Sequence, residues 1–450
     1  MPLGLYISVP FCRTKCSYCN FASDVFSKGA FENYVARVIE DIGNARTAAT
    51  ELGGVFEESA DSVYLGGGTP SILESSQLMR IFEAVRGEFA LTADAEITVE
   101  CAPGTLSPGL IETLLLCGVN RVSLGVQSFV DQEAQSVGRL HKRSTVLEEI
   151  ARLRATGIVN INIDLIAGLP HQTAASWEFS LAEAVAAGAP HASVYMLEVD
   201  EDSRLGRELI AGGTRYHAHF VPDEGATADF YQQACDTLNA AGVEQYEISN
   251  FARVGSESRH NLKYWTRQPY LGFGVDAHSM LSAVGRPADS SGPDPGTSAA
   301  KAESCQGRHT AALKRCATQN QGSIPAVQQT ADGGSFQAFR FSTPDSLDAY
   351  MNRAARTVTP VSEQAALEES FFLGLRLNCG VDLERIRAEF GAESVASCEA
   401  AIDECADDGL LEKHGTTVRL TARGRLLSNE VFARFLAEEG KVGTGHVNPR

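Results

Sequence analysis

The sequence is short of positive charge and has no long apolar run, and each shortage excludes a class of protein. Lys and Arg number 38 against 57 Asp and Glu, so the net charge at pH 7 is −19. A chain this acidic is poorly suited to non-specific binding of nucleic acid or anionic lipid, and we expect no nucleic-acid partner. No apolar stretch approaches the ~20 residues that a membrane-spanning helix needs. We therefore expect no integral membrane segment.

The amino-terminal residues also lack the features of a secretory signal. Met1–Gly4 carry neither a basic region nor an apolar one. Since nothing else indicates an oxidising compartment, we expect the 11 cysteines to be free thiols plus a metal site rather than a disulfide framework. Together these features predict a cytoplasmic protein.

Short β-type runs alternate with amphipathic helical patterns through the first half of the chain. The predicted strands are Leu5–Val9, Ser62–Leu65, Glu96–Glu100, Arg121–Val126, Asn160–Ile166 and Ser193–Leu197. The predicted helices between them are Phe31–Ile42, Ser76–Glu88, Pro108–Leu116, Thr145–Thr156 and Ala174–Ala187. Strands separated by helices of this length indicate βαβ units and a parallel sheet. Because these units are too few for a closed eight-stranded barrel, the sequence predicts an α/β fold with an open, partial (β/α)6 barrel.

The composition changes after about residue 285, and this change divides the chain. Residues 1–285 form the barrel and its extension. Residues 286–340 are rich in Ser, Gly, Pro, Ala and Gln and bury too little apolar surface to offset their ordering entropy, so we interpret them as a disordered, low-complexity insertion. Cys305 and Cys316 within it are therefore poor candidates for a metal site. Residues 341–440, with helices followed by a hairpin around Gly415, predict a small winged-helix-like α+β domain.

The most informative motif is a cysteine triplet near the amino terminus. Cys12, Cys16 and Cys19 follow the first predicted strand, so they lie on a loop at the sheet edge where parallel α/β folds build their sites. Three thiolates on one loop can hold three irons of a [4Fe–4S] cluster and leave the fourth iron without a protein ligand. A zinc site is the alternative, but it normally has a fourth Cys or His at short spacing, and none follows Cys19. The spacing therefore favours an iron–sulfur cluster.

A run of glycines, Gly66-Gly67-Gly68-Thr69-Pro70, follows the second predicted strand. Three consecutive glycines are unsuited to packing, and they let a backbone approach a ligand closely with exposed N–H and C=O groups. A tight turn between strand and helix is the alternative. The glycine run lies one βα unit after the cysteine loop. The two motifs together therefore indicate a ligand-binding edge of the sheet.

These motifs together resemble those of the radical S-adenosylmethionine (SAM) superfamily. Within it the sequence resembles the oxygen-independent coproporphyrinogen III oxidase-like branch, and most closely the HemW-type haem chaperones. The matching stretches, collinear from residue 3 to about residue 285, are YISVPFCRTKCSYCNF, LGGGTP, VECAPGT, RVSLGVQSF, GRLHKR, NIDLIAGLP, YEISNFA, HNLKYW and GFGVDAHSM. The region from residue 341 to residue 436 resembles the C-terminal domain of the family.

The resemblance implies a cofactor set and a group of site residues. Cys12, Cys16 and Cys19 would hold the [4Fe–4S] cluster, and the amino and carboxylate groups of SAM would chelate its open iron. One-electron reduction of SAM, which needs an electron donor for the cluster, would give methionine and a 5′-deoxyadenosyl radical. Further SAM contacts are implied for Tyr6, Tyr18, Gly67, Gly68, Thr69, Glu100, Gln127, Arg139 and Asp164. Cys101, in VECAPGT, is interpreted as a buried thiol rather than a fourth ligand.

Two functions share this scaffold, and two features separate them. Coproporphyrinogen oxidases carry a further cysteine two positions after the third, where this chain has Phe21. His260, Tyr264 and Trp265 match the HNxxYW pattern associated with haem binding in the HemW-type proteins, and imidazole is a common axial ligand of haem iron. A loop histidine beside core aromatic residues is the alternative. The resemblance favours a chaperone that binds haem and transfers it to acceptor haemoproteins, with coproporphyrinogen III oxidase as the alternative. No catalytic residue is assigned. Homodimer formation stays open.

Overall fold

A computed structural model describes residues 1–284 and 336–436 of the chain. Its centre is a run of parallel strands that pair in sequence order: β1 (Leu3–Val9), β2 (Ser59–Gly67), β3 (Ala90–Cys101), β4 (Arg121–Gln127), β5 (Asn160–Ala167) and β6 (His191–Met196). A strand is present at each predicted position, and most extend beyond their predicted ends. The predicted α/β fold with a partial (β/α)6 barrel is confirmed.

Helices connect these strands; most of them cover the outer face of the sheet, whereas the last one lies inside the barrel. They are α1 (Lys28–Gly43), α2 (Ala45–Glu51), α3 (Ser75–Glu88), α4 (Pro108–Leu116), α5 (Asp131–Ser136), α6 (Arg143–Ala155), α7 (Ala174–Ala186), α8 (Arg204–Ala211), α9 (Glu224–Ala240) and α10 (Arg259–Trp265). The sequence did not predict α2, α5, α8 and α10, because helices of about two turns are too short to show a clear apolar period. Among the described residues, no helix has the length and apolarity that crossing a bilayer requires.

The sheet continues beyond both ends of the parallel run. Next to β1 come β9 (Tyr270–Phe273), which is parallel to it, and then the antiparallel strands β10 (His278–Ser282), β11 (Ala338–Ser342) and β12 (Thr357–Val361). Next to β6 come the antiparallel strands β8 (Asn250–Ala252) and β7 (Glu244–Gln245). Because β12 and β7 end the twelve-stranded order, the barrel formed by the described residues is open.

The predicted insertion, residues 286–340, lies mostly outside the described residues, and Cys305 and Cys316 lie there with it. Its last residues need a correction, because β11 begins at Ala338 and pairs with both β10 and β12. Ala338 and Phe339 are buried by these long-range neighbours. A composition window averages over such a short strand, so the segment was predicted to end too late.

Most of the region after β11 forms a second apolar core, whereas its first helix packs on the main core through Tyr350. Its helices are α11 (Leu347–Met351), α12 (Glu363–Gly374), α13 (Leu383–Phe390), α14 (Ala392–Asp407), α15 (Ala422–Leu426) and α16 (Ser428–Ala433). A small antiparallel sheet has the order β13 (Val381–Asp382), β15 (Thr417–Leu420) and β14 (Leu411–His414). Gly415 lies in the turn between β14 and β15 with a φ of 62°, a left-handed conformation that a tight hairpin requires. The predicted helices and hairpin are therefore present.

The barrel strands alternate between an apolar outer face and a polar inner face. On β4, Val122, Leu124 and Val126 are fully buried in the main apolar core, whereas Arg121 and Ser123 line the lumen. Parallel strands that are covered on both faces usually read as continuous apolar runs. Here the inner face is polar because α10 and a cleft, rather than an apolar layer, occupy the lumen.

A buried ion pair links the second core to the edge of the barrel. Arg376 Nη2 lies 3.2 Å from Glu247 Oε2, and both side chains are at most 5% exposed. Glu247 also accepts a hydrogen bond from the Ser249 N–H group, and the Arg376 guanidinium lies 4.2 Å from the centre of the Trp265 ring. Removing one partner of such a pair leaves a buried charge without compensation.

We expect Arg376→Met to lower the free energy of unfolding by about 3–5 kcal/mol, because Glu247 then stays buried without a counter-charge. The double variant Glu247→Gln/Arg376→Met should recover much of this loss. Urea denaturation measures both effects. The control is Arg353→Met, which breaks an exposed ion pair with Glu40 and should cost less than about 1 kcal/mol. Equal losses in Arg376→Met and Arg353→Met would contradict the assignment.

Candidate functional site

A cleft of about 410 Å³ opens at the carboxyl edge of the parallel strands. It runs from the cysteine loop down the barrel lumen to Ser258 and Asn261, where α10 begins. Most of the predicted site residues line it: Cys12, Cys16, Cys19, Tyr18, Gly67, Gly68, Thr69, Glu100, Gln127, Arg139 and Asp164. Residues that are far apart in the sequence are thereby brought together at one edge of the sheet.

The cysteine loop is held against the glycine turn by backbone hydrogen bonds. The Cys12 N–H donates to the Asp24 carbonyl at 3.0 Å, and the Thr69 N–H donates to the Phe11 carbonyl at 2.8 Å. Phe11 is fully buried and stacks on Phe31 with ring centroids 4.0 Å apart. The buried ring anchors the start of the loop, so the cysteines lie at a fixed distance from the glycine turn.

The other side of the loop is bonded to segments that follow β4 and β6. The Ser17 N–H donates to the Val137 carbonyl at 3.2 Å, and the Ser17 carbonyl accepts from the Leu205 N–H at 2.8 Å. The Thr14 hydroxyl donates to the Gly138 carbonyl at 3.0 Å. The loop is therefore braced by neighbouring segments as well as by hydrogen bonds between its own residues.

The donor set of this loop fits an iron–sulfur cluster. Cys12, Cys16 and Cys19 are free, and burial raises the pKa of the Cys12 and Cys19 thiols, so that metal binding would release their protons. Within residues 1–284 and 336–436, no three His, Cys, Asp or Glu side chains converge on one metal position. In a [4Fe–4S] cluster each thiolate binds a different iron, so the thiols need not converge on one point.

The glycine turn serves packing as well as access to the cleft. A Cβ atom on Gly68 would lie 2.7 Å from the carbonyl oxygens of both Val9 and Phe11. Gly67 has a φ of 99°, which side chains rarely tolerate. The expectation that these glycines are unsuited to packing is therefore wrong for Gly68, whose missing side chain admits the backbone of the cysteine loop. The contact is tertiary, and local sequence carries no sign of it.

Glu100, at the end of β3, presents a carboxyl group with an unusual proton affinity. It accepts hydrogen bonds from the Tyr64 hydroxyl at 2.8 Å and from the Gly67 N–H at 3.2 Å. Burial, together with the nearby Asp164 carboxylate, raises the pKa of Glu100 to about 7. The group therefore exchanges a proton near neutral pH and can accept a hydrogen bond from a cationic or hydroxyl-bearing ligand.

Asp164 and Arg139 supply opposite charges to the same cleft. Asp164 accepts hydrogen bonds from Asn162 Nδ2 at 2.7 Å and from the Ser123 hydroxyl at 3.1 Å, and burial raises its pKa. Arg139 Nη2 donates to the Tyr18 hydroxyl at 3.0 Å, while its buried Nε has no hydrogen-bond partner among the described residues. A buried guanidinium N–H without a partner fits the carboxylate of a ligand such as SAM.

Gln127 and Tyr6 occupy different positions relative to the cleft. Gln127 is buried at the end of β4 with a φ of 69°, and its side chain lies beside Arg139 at the backbone of Gly125. Tyr6 is not among the lining residues; its ring lies 6.1 Å from that of Tyr64, on the lumen side of β1. The contact of Tyr6 with SAM stays a prediction.

The predicted haem residues lie on α10, inside the barrel. His260 is 1% exposed, with Nδ1 3.0 Å from the Ser62 hydroxyl and Nε2 2.7 Å from the Tyr264 hydroxyl. Burial, together with the Lys263 charge, lowers the pKa of His260 to about 3, so its imidazole is neutral. Since both ring nitrogens are hydrogen bonded, ligation of iron by His260 would require the loss of one of these bonds.

Tyr264 and Trp265 pack away from the cleft. The Tyr264 ring meets the Tyr270 ring edge to face at 4.6 Å, and Arg376 covers the Trp265 ring. Neither residue lines the cleft, whereas Ser258 and Asn261 of the same segment do. The structure thus separates the predicted haem residues from the predicted SAM residues that line the cleft, whereas the Tyr6 ring lies 6.3 Å from the His260 ring.

Sequence reasoning missed the polar lumen below the cysteine loop. The additional lining residues include Tyr64, Thr98, Arg121, Ser123, Asn162, His191, Ser193 and Tyr195. The signal was a period-two alternation of polar and apolar residues, as in Asn162–Ile163–Asp164 of β5. This alternation is a local signal that could have identified the polar inner face of the barrel.

Comparisons with known proteins agree with this geometry. A family model described as the Radical SAM superfamily matches residues 6–183, and one described as the HemN C-terminal domain matches residues 361–427. The solved structure of coproporphyrinogen III oxidase (HemN) from Escherichia coli has a TM-score of 0.72 at 21% identity, covering 96% of this chain and 90% of that one, and shows a shared fold. The fold and the thiol-lined cleft define a radical SAM protein, a class that implies a [4Fe–4S] cluster and SAM.

Two similar proteins are named "Heme chaperone HemW". The one from Bacillus subtilis (strain 168) is 31% identical over 436 residues, which cover 96% of this chain and 99% of that protein. The one from Escherichia coli (strain K12) is 33% identical over 283 residues, 62% of this chain and 71% of that protein. The mouse "Radical S-adenosyl methionine domain-containing protein 1, mitochondrial" is 37% identical over 283 residues, 63% of this chain and 61% of that protein. The chain belongs to the HemW family of the radical SAM superfamily.

The raised pKa of Glu100 gives a prediction for stability against pH. The folded chain holds this proton up to about pH 7, whereas the unfolded chain loses it near 4.5, so Glu100 lowers stability as pH rises through that interval. This pH dependence should be absent in Glu100→Gln. The free energy of unfolding of the variant, relative to that of the wild type, should therefore rise by up to about 3 kcal/mol from about pH 5 to about pH 8. Chemical denaturation at both pH values measures it. The exposed variant Glu51→Gln is the control, and a similar gain there would contradict the assignment.

The cysteine loop gives a prediction for iron binding. We expect Cys16→Ser to abolish the visible absorption of the anaerobically reconstituted cluster and to lower the iron content sharply, because one iron loses its thiolate. The matched control is Cys101→Ser, which alters a buried thiol that lines the same cleft. It should keep both signals. Full iron content in Cys16→Ser would contradict the ligand assignment, and loss of iron in Cys101→Ser would make Cys101 a ligand.

Proposed function

We propose that this protein is a haem chaperone that binds haem and transfers it to acceptor haemoproteins. The observation that carries the proposal is the similarity to a heme chaperone HemW along nearly the full length of both chains. Phe21 supports it, because coproporphyrinogen oxidases have a cysteine at that position. The alternative, oxidative decarboxylation of coproporphyrinogen III, has the support of a shared fold only.

We propose that Cys12, Cys16 and Cys19 hold a [4Fe–4S] cluster at the mouth of the cleft, with SAM below it. A bound cluster would supply one electron to the SAM sulfonium, drawn from an external electron donor. The cleft volume of about 410 Å³ suits a small molecule. Its walls offer complementary groups, since the Arg139 guanidinium suits the SAM carboxylate, and Glu100 and Asp164 suit its ammonium and ribose hydroxyls.

Gly67, Gly68 and Thr69 are proposed to contact the methionyl part of SAM through their backbone, and Gln127 and Tyr18 to close the site around it. All five residues line the cleft. Tyr18 supports this role through its hydroxyl, which accepts a hydrogen bond from Arg139 and so helps to aim the guanidinium. The rotation of Arg139 about its side-chain bonds is restricted by this contact, which lowers the entropy lost when a ligand binds.

His260, Tyr264 and Trp265 are proposed to support haem binding without ligating iron. One hydrogen bond of the His260 ring joins α10 to Ser62 of β2, and the other joins His260 to Tyr264 within α10. The bond to β2 fixes α10 at the floor of the cleft, where its residue Asn261 is part of the lining. A role in shaping the barrel is consistent with a fully buried, neutral imidazole.

A cytoplasmic location is proposed from the state of the thiols. All nine cysteines in the described residues are free, and the cluster chemistry of the class needs a reducing environment. An electron donor of the same compartment would reduce the cluster.

A paired assay tests the proposed function. The reconstituted full chain should bind haem to saturation, seen in its Soret band, and pass it to an apo-haemoprotein. It should form no protoporphyrinogen from coproporphyrinogen III with SAM and reductant, under conditions where the Escherichia coli HemN enzyme does so. Addition of SAM should change the electron paramagnetic resonance spectrum of the reduced cluster. Turnover of coproporphyrinogen, or failure to bind haem, would contradict the proposal.

A further inference from the structure

Two histidines outside the cleft form a hydrogen-bonded pair. His171 follows β5, and His217 lies between α8 and the short 3₁₀ turn Ala218–Phe220. His171 Nε2 lies 3.2 Å from His217 Nδ1, and the ring centroids are 5.0 Å apart. One ring must donate an N–H to the lone pair of the other, so the contact requires at least one neutral imidazole.

The surrounding loops hold both rings in place despite an unfavourable backbone. His171 has a φ of 70° and His217 a φ of 61°, in the left-handed region that few side chains adopt. The Glu208 carboxylate accepts hydrogen bonds from the N–H groups on either side of His217, at 2.8 Å and 3.1 Å. The His171 N–H donates to the Phe220 carbonyl at 3.0 Å. Such conformations persist where the surroundings fix them, and they cluster at functional sites.

The pair has the arrangement of a metal-binding histidine and its supporting acceptor. A ligating imidazole usually donates its second ring N–H to a neighbour, which sets the tautomer and the ring orientation. If His217 donates from Nδ1 to His171, its Nε2 lone pair is left for a metal, and this atom has no hydrogen bond among the described residues.

The surface around this pair is apolar and exposed. The Phe220 ring lies 4.1 Å from the His171 ring and 4.1 Å from the His219 ring, and it is 47% exposed. Leu209 and Ile210, on the α8 helix that packs against this turn, are 54% and 68% exposed. The ligand that combines an iron in need of an imidazole with a flat apolar face is an iron porphyrin.

A cation lies in the same segment. Arg215, two residues before His217, is exposed and can pair with a porphyrin carboxylate. A bare divalent ion would need neither the apolar side chains nor the arginine. The combination of imidazole, apolar surface and cation therefore favours haem over a simple metal ion.

We propose that His217, which is partly exposed and is oriented by His171, is a haem ligand at which the protein takes up or releases its cargo. The inference rests on the proposed function and adds a site to it. The segment is also tied to the cluster loop, because the Arg204 guanidinium donates to the Lys15 carbonyl at 3.1 Å and the Leu205 N–H donates to the Ser17 carbonyl. Haem bound here would lie beside the segment that braces the cysteines.

Haem titration of full-length variants tests this site. His217→Asn removes the imidazole while Asn tolerates a positive φ, and it should weaken haem binding more than about tenfold and change the resonance Raman signature of the iron–imidazole bond. His171→Ala should weaken binding about tenfold or more and shift that iron–imidazole band, whereas His171→Asn, which keeps an acceptor, should lose less. His260→Ala, at a residue proposed to support haem binding, should lower haem affinity but leave the iron–imidazole band in place. His414→Ala, which removes an exposed imidazole on β14, is the control and should change neither.

The outcomes separate the inference from the function on which it rests. Unchanged haem affinity and an unchanged iron–imidazole band in His217→Asn would overturn the inference, while haem binding by the wild type would leave the chaperone proposal intact. Loss of the band in His260→Ala alone would move the ligand to α10 and also overturn it. No haem binding by the wild type would remove the proposed function and the inference together. Cluster content and circular dichroism of each variant confirm that it is folded. If the histidine pair binds Ni²⁺ while haem affinity is unchanged in His217→Asn, the pair is a simple metal site instead.

Discussion

The close contact between the cysteine loop and the glycine turn is the constraint on which the site depends. Gly68 lies so near the carbonyls of Val9 and Phe11 that any side chain there would push the loop away. Two backbone hydrogen bonds then join the turn to the loop, from the N–H groups of Gly68 and Thr69. One steric fact thus sets where the thiols stand relative to the strand ends, and Glu100, Arg139 and Asp164 reach the same cleft only because the loop is held there.

The polar lumen imposes a second constraint, because buried polar groups need partners. Asn162 donates to the Ser123 hydroxyl at 2.8 Å and accepts from the His191 ring at 2.7 Å. Burial lowers the pKa of His191 well below its usual value, so the neutral ring donates from Nδ1 and accepts from the Tyr246 hydroxyl through Nε2. This network holds the inner face of β4, β5 and β6 in register and keeps the cleft open below the cysteines without an apolar layer.

The parts of this structure that follow from local pattern could be predicted from sequence, and the parts that follow from tertiary contact could not. The strands and long helices were predictable because apolar period and glycine position are local signals. The cysteine loop was predictable because three thiols at that spacing suit few other uses. The packing role of Gly68, the burial of both His260 ring nitrogens and the His171–His217 pair were not, since each joins segments that are distant in the chain. β11 was missed for the same reason.

The size of the cleft bears on where haem would bind. The cleft has about 410 Å³, and the cluster and SAM proposed for it would take up its mouth and its polar walls. A porphyrin is larger than SAM and mostly apolar, and it would bury polar side chains such as Asp164 and Arg139 without replacing their hydrogen bonds, at a cost of about 1–3 kcal/mol for each group. His260 lies beneath this lining and is 1% exposed. The proposed haem binding therefore suits an exposed apolar surface with an available imidazole, and the segment from α8 to Phe220 combines these features beside the cluster loop.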